Sequence, residues 1–189
     1  MKGFNSTLNS GEDSDLTHRL INSNYIVKID PQLSVIHLGY PSEVIPFIKH
    51  STSNETEIIT CGASFGALHS MNLFLKRPDL INGVIAMSGV YDLTEYTDGH
   101  FDDQVYFNSP MHYIQNLEDH YILEQIRKSR HLHIFTGSGA YEDPNASKSF
   151  AGLLYSKGIN YELDVWGEEW KHDWPTWRAL LPHYFETRF

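Results

Sequence analysis

Cysteine is almost absent from this chain. Cys61 stands alone among 189 residues, which rules out an intrachain disulfide and permits a reducing compartment. No apolar run approaches the roughly 18 residues that a membrane-crossing helix needs. The opening MKGFNSTLNSGEDSD has one lysine and no apolar stretch behind it, unlike a secretory leader. These absences lead to the expectation of a cytoplasmic location. Basic residues are also scarce: 14 Lys and Arg against 24 Asp and Glu leave a formal net charge of -10. A surface that negative repels phosphate backbones and anionic lipid, which weighs against nucleic acid as a partner. The charge bears on solubility and says little about fold.

What is present suits a folded globule. Hydrophobic residues make up 41% and aromatics 13% of the chain, and the length predicts one domain. Residues 1–17 are polar and read as a flexible tail, leaving 18–189 as the single domain. NYIVKID and LSVIHLGY are short β-like runs, and SEVIPFIKH reads as a helix with Ser42 as its cap. The pattern then sharpens. Short apolar runs are predicted as neighbouring parallel strands at 57–61, 81–87, 132–136 and 161–166, the first two as buried strands. Helical stretches alternate with them: FGALHSMNLFLKRPDL, ending near Pro78, then ILEQIRKSR, NASKSFAGLLYSKG and WPTWRALLPHYFETRF. Such alternation means a mainly parallel sheet flanked by helices, an α/β fold. Residues 90–120 form a long polar and aromatic stretch, expected to be functional or to carry small helices.

One pentapeptide carries chemistry. Gly62-Ala63-Ser64-Phe65-Gly66 lies between a buried strand and a helix, the setting of a nucleophile elbow. Such a turn pushes the Ser64 hydroxyl out at the carboxyl end of the sheet. It also aims the Phe65 amide, at a helix N-terminus, toward a developing oxyanion. Side chains at Gly62 or Gly66 are expected to collide where strand and helix pack closely. As a bare pentapeptide the motif also fits a strand-to-helix turn in which the serine is merely small.

A serine hydroxyl needs a histidine base and a carboxylate behind it. The chain order for such an elbow is serine, acid, histidine. SGAYEDP, after the third predicted strand, offers Glu142 and Asp143. EEWKHDWP, after the last, offers His172. The other candidates fit less well. His69 lies within the helix after Ser64, His131 and His133 share one face of a strand, and His183 lies in the last helix. No cluster of cysteine or carboxylate accompanies them, so neither metal nor cofactor is expected. Trp170, Trp174, Tyr106 and Phe107 could line an acyl pocket or simply pack in the core.

The stretches GASFGALHSMNLFLKRPDLINGVIAMSGVYD, VYFNSPMHYIQNL, GSGAYEDP and SKGINYELDVWGEEWKHDWPTWRALLPHYF resemble the putative esterases of the α/β-hydrolase superfamily, a group that includes esterase D-like and mycolyltransferase-like proteins. The resemblance runs from about Tyr40 to the C-terminus. It implies an α/β-hydrolase-type sheet and a serine hydrolase acting on small-molecule esters without metal or cofactor. By position it implies Ser64 as nucleophile, His172 as base, Asp143 as acid with Glu142 the adjacent alternative, and the Phe65 N–H as one oxyanion donor. It also implies a longer segment before the serine than the 63 residues found here. The expectation is therefore a fold lacking its first strands and the loop that supplies a second oxyanion donor. Losing one such donor costs roughly 10²–10³ in rate, and a bared sheet edge favours homo-oligomers. The alternatives are a weakly active or inactive hydrolase-like binding module and an acyltransferase using the same triad.

Overall fold

The computed structural model describes residues 57–188. The β-like runs, the helix expected at Ser42 and the expected tail all fall in 1–56, outside the described residues, and so do the expectations about strands earlier than the one entering the elbow and about a second oxyanion donor. The described residues divide into two compact units, 57–172 and 173–188.

The first unit is built on four parallel strands: β1 (Ile59–Ala63), β2 (Gly83–Met87), β3 (His131–Thr136) and β4 (Glu162–Val165). They lie side by side in sequence order. Cys61 stands opposite Ile85, Ile85 opposite His133, and His133 opposite Glu162. All four predicted strands are thus present and parallel, with ends shifted by at most two residues, but the burial expected of the first two holds only for β2, since β1 is half-buried with Cys61 exposed. The central β2, GVIAM, is buried throughout. That explains its unbroken apolar sequence, because a strand covered on both faces has no reason to alternate.

Helices return the chain between strands. α1 (Phe65–Lys76) buries Ala67, Leu68, Met71, Phe74 and Leu75, the spacing of a single helical face. The 90–120 stretch does carry small helices of its own: a 3₁₀ turn (Thr94–Tyr96), α2 (Asp103–Asn108) and α3 (Pro110–Tyr113). One buried polar side chain anchors this stretch. Asn72 of α1 donates to the Asn108 carbonyl at 2.9 Å and accepts from the Tyr113 hydroxyl at 2.7 Å. Burial pushes the Tyr113 phenol well above its ordinary pKa, so it remains a donor. α4 (His120–Lys128) is capped by Asp119, which accepts from the Ile122 amide at 3.0 Å. α5 (Pro144–Ser156) buries Ser147, Phe150, Ala151 and Leu154. Against the sheet's Val84, Ala86, Leu132 and Ile134, these two long helices close one apolar core.

The second unit contains α6 (Trp174–Thr187). Asp173 caps it by accepting from the Thr176 amide at 3.1 Å, and Pro175 occupies its first turn, where a missing amide proton costs nothing. Among the described residues no helix is long and apolar enough to cross a membrane.

Phe150 has no exposed surface and stacks on Tyr91 with ring centroids 4.2 Å apart and planes 10° from parallel. Phe150→Ala should destabilise the protein by about 3–5 kcal/mol, the cost of a buried aromatic plus the cavity it leaves. The loss would appear as a lower urea midpoint with an unchanged slope.

Candidate active site

The site begins with a strained residue. Ser64 connects β1 to α1 with φ 56° and ψ -122°, a left-handed region that side chains other than glycine avoid at a cost of order 1–3 kcal/mol. Neighbouring backbone pins it there. Its amide donates to the Met87 carbonyl of β2 at 2.9 Å, and its own carbonyl accepts from Ala67 at 3.0 Å. The Ser64 side chain makes no helix-capping bond. It points instead at His172, whose Nε2 lies 2.9 Å from Oγ.

The glycines divide. A Cβ on Gly62 would lie 2.1 Å from the Gly66 carbonyl oxygen, whereas one on Gly66 would meet nothing within 4 Å among the described residues. The expected collision therefore holds at Gly62 and fails at Gly66. The close approach is of the Gly66 backbone onto Gly62, and the Gly66 Cβ direction meets none of the described residues. The Phe65 amide occupies the first turn of α1, where N–H groups have no intrahelical acceptor.

His172 comes from the loop after β4 and the carboxylates from the loop after β3. The two loops are joined by main-chain hydrogen bonds. Gly139 N–H donates to Trp170 C=O at 2.9 Å, His172 N–H to Ala140 C=O at 3.1 Å, and Ser138 N–H to Gly167 C=O at 3.3 Å. The approach is close enough that a Cβ on Gly139 would lie 2.4 Å from the Glu168 carbonyl oxygen. A glycine here is a steric requirement.

The carboxylate facing His172 is Glu142, not Asp143. Glu142 Oε2 lies 3.5 Å from His172 Nδ1, and its side chain is 1% exposed. The contact is longer than a formed hydrogen bond, as such contacts commonly are without substrate. Two local features make the choice. Tyr141 adopts φ 65°, which leaves its own ring 94% exposed while Glu142 is turned inward. Asp143 is engaged elsewhere: its Oδ1 accepts from the Asn145 and Ala146 amides at 2.9 and 3.1 Å as the N-cap of α5. That was legible in the sequence, because Asp before Pro at a helix start is a capping signature. Glu142 Oε2 thus lies on the Nδ1 side of the ring and Ser64 Oγ on the Nε2 side.

Glu142 is held in turn by hydroxyls. Ser88 Oγ donates to Oε1 at 2.6 Å, and Thr136 Oγ1 lies 3.2 Å from Oε2. Neither was singled out from sequence.

A cavity of about 360 Å³ opens beside His172, with Tyr96, Met111, Tyr141, Asp92, Glu95 and Asp143 in its walls. Burial raises the Asp92 carboxyl, but hydrogen bonds from the Thr94 amide and hydroxyl and from His112 outweigh it. They hold Asp92 below the ordinary carboxylate range, so that wall stays negative at neutral pH. Trp170, Tyr106 and Phe107 do not line this cavity. Trp170 packs edge-on against Trp166, and Tyr106 edge-on against Phe107. Trp174 packs edge-on against Trp177 within α6.

Of the other histidines, His69 is exposed on α1. His133 is buried on β3, with Nδ1 3.1 Å from Glu162 Oε2 and Nε2 3.5 Å from His131 Nδ1. His183 lies on α6. Among the described residues no group of three or more His, Cys, Asp or Glu side chains is arranged to hold a metal ion.

The family model described as "Putative esterase" matches residues 40–187. No curated protein matches the chain. Solved structures share its fold at low identity. A ferulic acid esterase superposes with a TM-score of 0.59 at 19% identity, covering 76% of this chain and 56% of its own. An S-formylglutathione hydrolase from Agrobacterium tumefaciens gives 0.55 at 12% identity, with coverages of 79% and 55%. The substrate-bound FphF of Staphylococcus aureus, a fluorophosphonate-binding serine hydrolase, gives 0.52 at 16% identity, with 76% and 60%. The chain thus spans little more than half the length of these structures.

The two elbow glycines should respond oppositely to the same added methyl. Gly62→Ala must displace main chain and should lower the thermal midpoint sharply. Gly66→Ala adds a methyl inside a helix with no described residue within 4 Å of it, and should be neutral or stabilising by up to about 1 kcal/mol. Thermal melts of the two variants check both.

Proposed function

The chain belongs to the putative esterase family, and from that premise we propose that it hydrolyses small-molecule carboxylic esters through Ser64, His172 and Glu142. The observation that carries this reading is the 2.9 Å contact between His172 Nε2 and Ser64 Oγ, with a buried carboxylate on the far side of the ring.

In this mechanism Ser64 Oγ attacks the acyl carbon as its proton passes to His172 Nε2. The new imidazolium carries its charge opposite the Glu142 carboxylate. The tetrahedral oxyanion forms next to the Phe65 amide, whose position at a helix N-terminus favours negative charge. Collapse expels the alcohol, which takes the proton from Nε2. Water then enters, gives a proton to His172 and attacks the acyl carbon, and the second collapse returns that proton to Ser64 and frees the acid. The cavity beside His172 would hold one side of the ester. No step calls on a metal or an organic cofactor.

The acid assignment departs from the one implied by family resemblance. Asp143 spends its Oδ1 on two amides of α5 and lines the cavity, whereas Glu142 is sealed behind the histidine.

A fluorophosphonate probe should label the wild type and leave Ser64→Ala unlabelled. On a short-chain aryl ester, Ser64→Ala and His172→Ala should each lose about 10³-fold or more in kcat, and Glu142→Gln about 10²–10⁴-fold, because an amide cannot stabilise the imidazolium. Asp143→Asn keeps a good helix cap and should stay within about tenfold of wild type. A larger loss at Asp143 than at Glu142 would reverse the acid assignment. Equal hydrolysis by wild type and Ser64→Ala would remove the hydrolase reading.

A further inference from the structure

Ser88 follows directly on β2 and is a second non-glycine residue in left-handed conformation at this end of the sheet, with φ 50°. It is 5% exposed, so strain and the burial of a hydroxyl coincide at one position. Its amide donates to the Phe135 carbonyl of β3 at 2.7 Å, and the residue before it, Met87, accepts the Ser64 amide at 2.9 Å. The end of β2 is therefore bonded to the serine's turn on one side and to the acid's strand on the other. From there Ser88 Oγ donates to Glu142 Oε1 at 2.6 Å, shorter than the 3.2 Å from Thr136 Oγ1 to Oε2. Thr136 has a single hydroxyl proton and a nearer acceptor, the Gly137 carbonyl at 2.9 Å.

We infer that Ser88 is a positioning residue of the active site: its hydroxyl holds Oε1 of Glu142 and thereby turns Oε2 toward His172. The inference rests on the proposed Ser64–His172–Glu142 chemistry and extends it by a fourth member, which acts through its bond to the acid. The physical need is specific. The terminal torsion of a glutamate is broad and roughly two-fold, so burial alone does not decide which oxygen faces the imidazole. A short hydrogen bond to one oxygen fixes the carboxylate plane and commits the other. It also satisfies a charged group that has lost its water, for which an unmet hydrogen bond is costly. The left-handed backbone lets one residue continue the β2–β3 hydrogen bonding through its amide while directing its side chain to the loop after β3. This gives the strain a purpose.

Ser88→Ala removes the hydroxyl and keeps the strain, and Ser88→Gly removes both, so that at least one variant folds well. Both should lose about 10- to 100-fold in kcat, with KM within about twofold of wild type. In a Glu142→Gln background the same Ser88→Ala change should alter kcat by less than about twofold, because its route of action is already cut. A second readout needs no turnover: the low-field proton NMR signal of His172 Nδ1–H, identified by its disappearance in His172→Ala. In Ser88→Ala it should move upfield and exchange faster with water. The inference is overturned by a kcat within about twofold of wild type in both variants, by an equal loss in the Glu142→Gln background, or by an unmoved Nδ1–H signal. Failure of the hydrolase reading would appear separately, as a wild type that neither turns over ester nor takes the probe.

Discussion

The candidate site depends on the main-chain bonding between two loops. Ser138, Gly139 and His172 donate to carbonyls of the opposite loop, and those bonds bring a histidine and a carboxylate from different strand ends onto one line. Neither loop has regular structure of its own to hold these side chains. The sheet sets the spacing, since β3 and β4 are hydrogen-bonded neighbours with His133 opposite Glu162. The loops that leave them are therefore about one strand spacing apart. Gly139 permits the approach, because any side chain there would occupy the space of the Glu168 and Trp170 carbonyls.

Strain is concentrated at the same end of the sheet. Ser64, Ser88 and Tyr141 are three of the four non-glycine residues with positive φ among those described, and each adjoins the site. At Ser64 the unusual backbone presents the hydroxyl, and at Tyr141 it accompanies the burial of the next residue's carboxylate. Such conformations persist only where the surroundings over-determine them. Here the fully buried β2 supplies that rigidity, bonded at its end to the residues on either side.

The environment of the pair separates two adjacent carboxylates. Glu142 is enclosed and contacted by hydroxyls, whereas Asp143 is exposed and engaged with the start of a helix. A capping carboxylate stabilises the helix and balances its dipole. An enclosed carboxylate against an imidazole stabilises positive charge on the ring. Neighbours in sequence are thus separated in chemistry by what each side chain meets.

The sequence by itself determined the layering and the elements. The short apolar run Gly83–Met87 and the mostly apolar Leu132–Thr136, each bounded by loop residues, read as strands, and the helical spacing of Ala67, Met71 and Phe74 read as a helix after the elbow. The strand–Gly–Ser–helix order also marked Ser64, and His172 stood out by its place after the last strand. These are local patterns, carried by periodicity and turn chemistry over a few residues. The structure alone decided which carboxylate faces the ring, that Ser88 reaches that carboxylate, that Gly62 is crowded where a Gly66 Cβ meets no described residue, and which aromatics line the cavity. Each of these depends on contacts between segments distant in the chain, or on a backbone torsion that those contacts impose, and no spacing along the sequence encodes either.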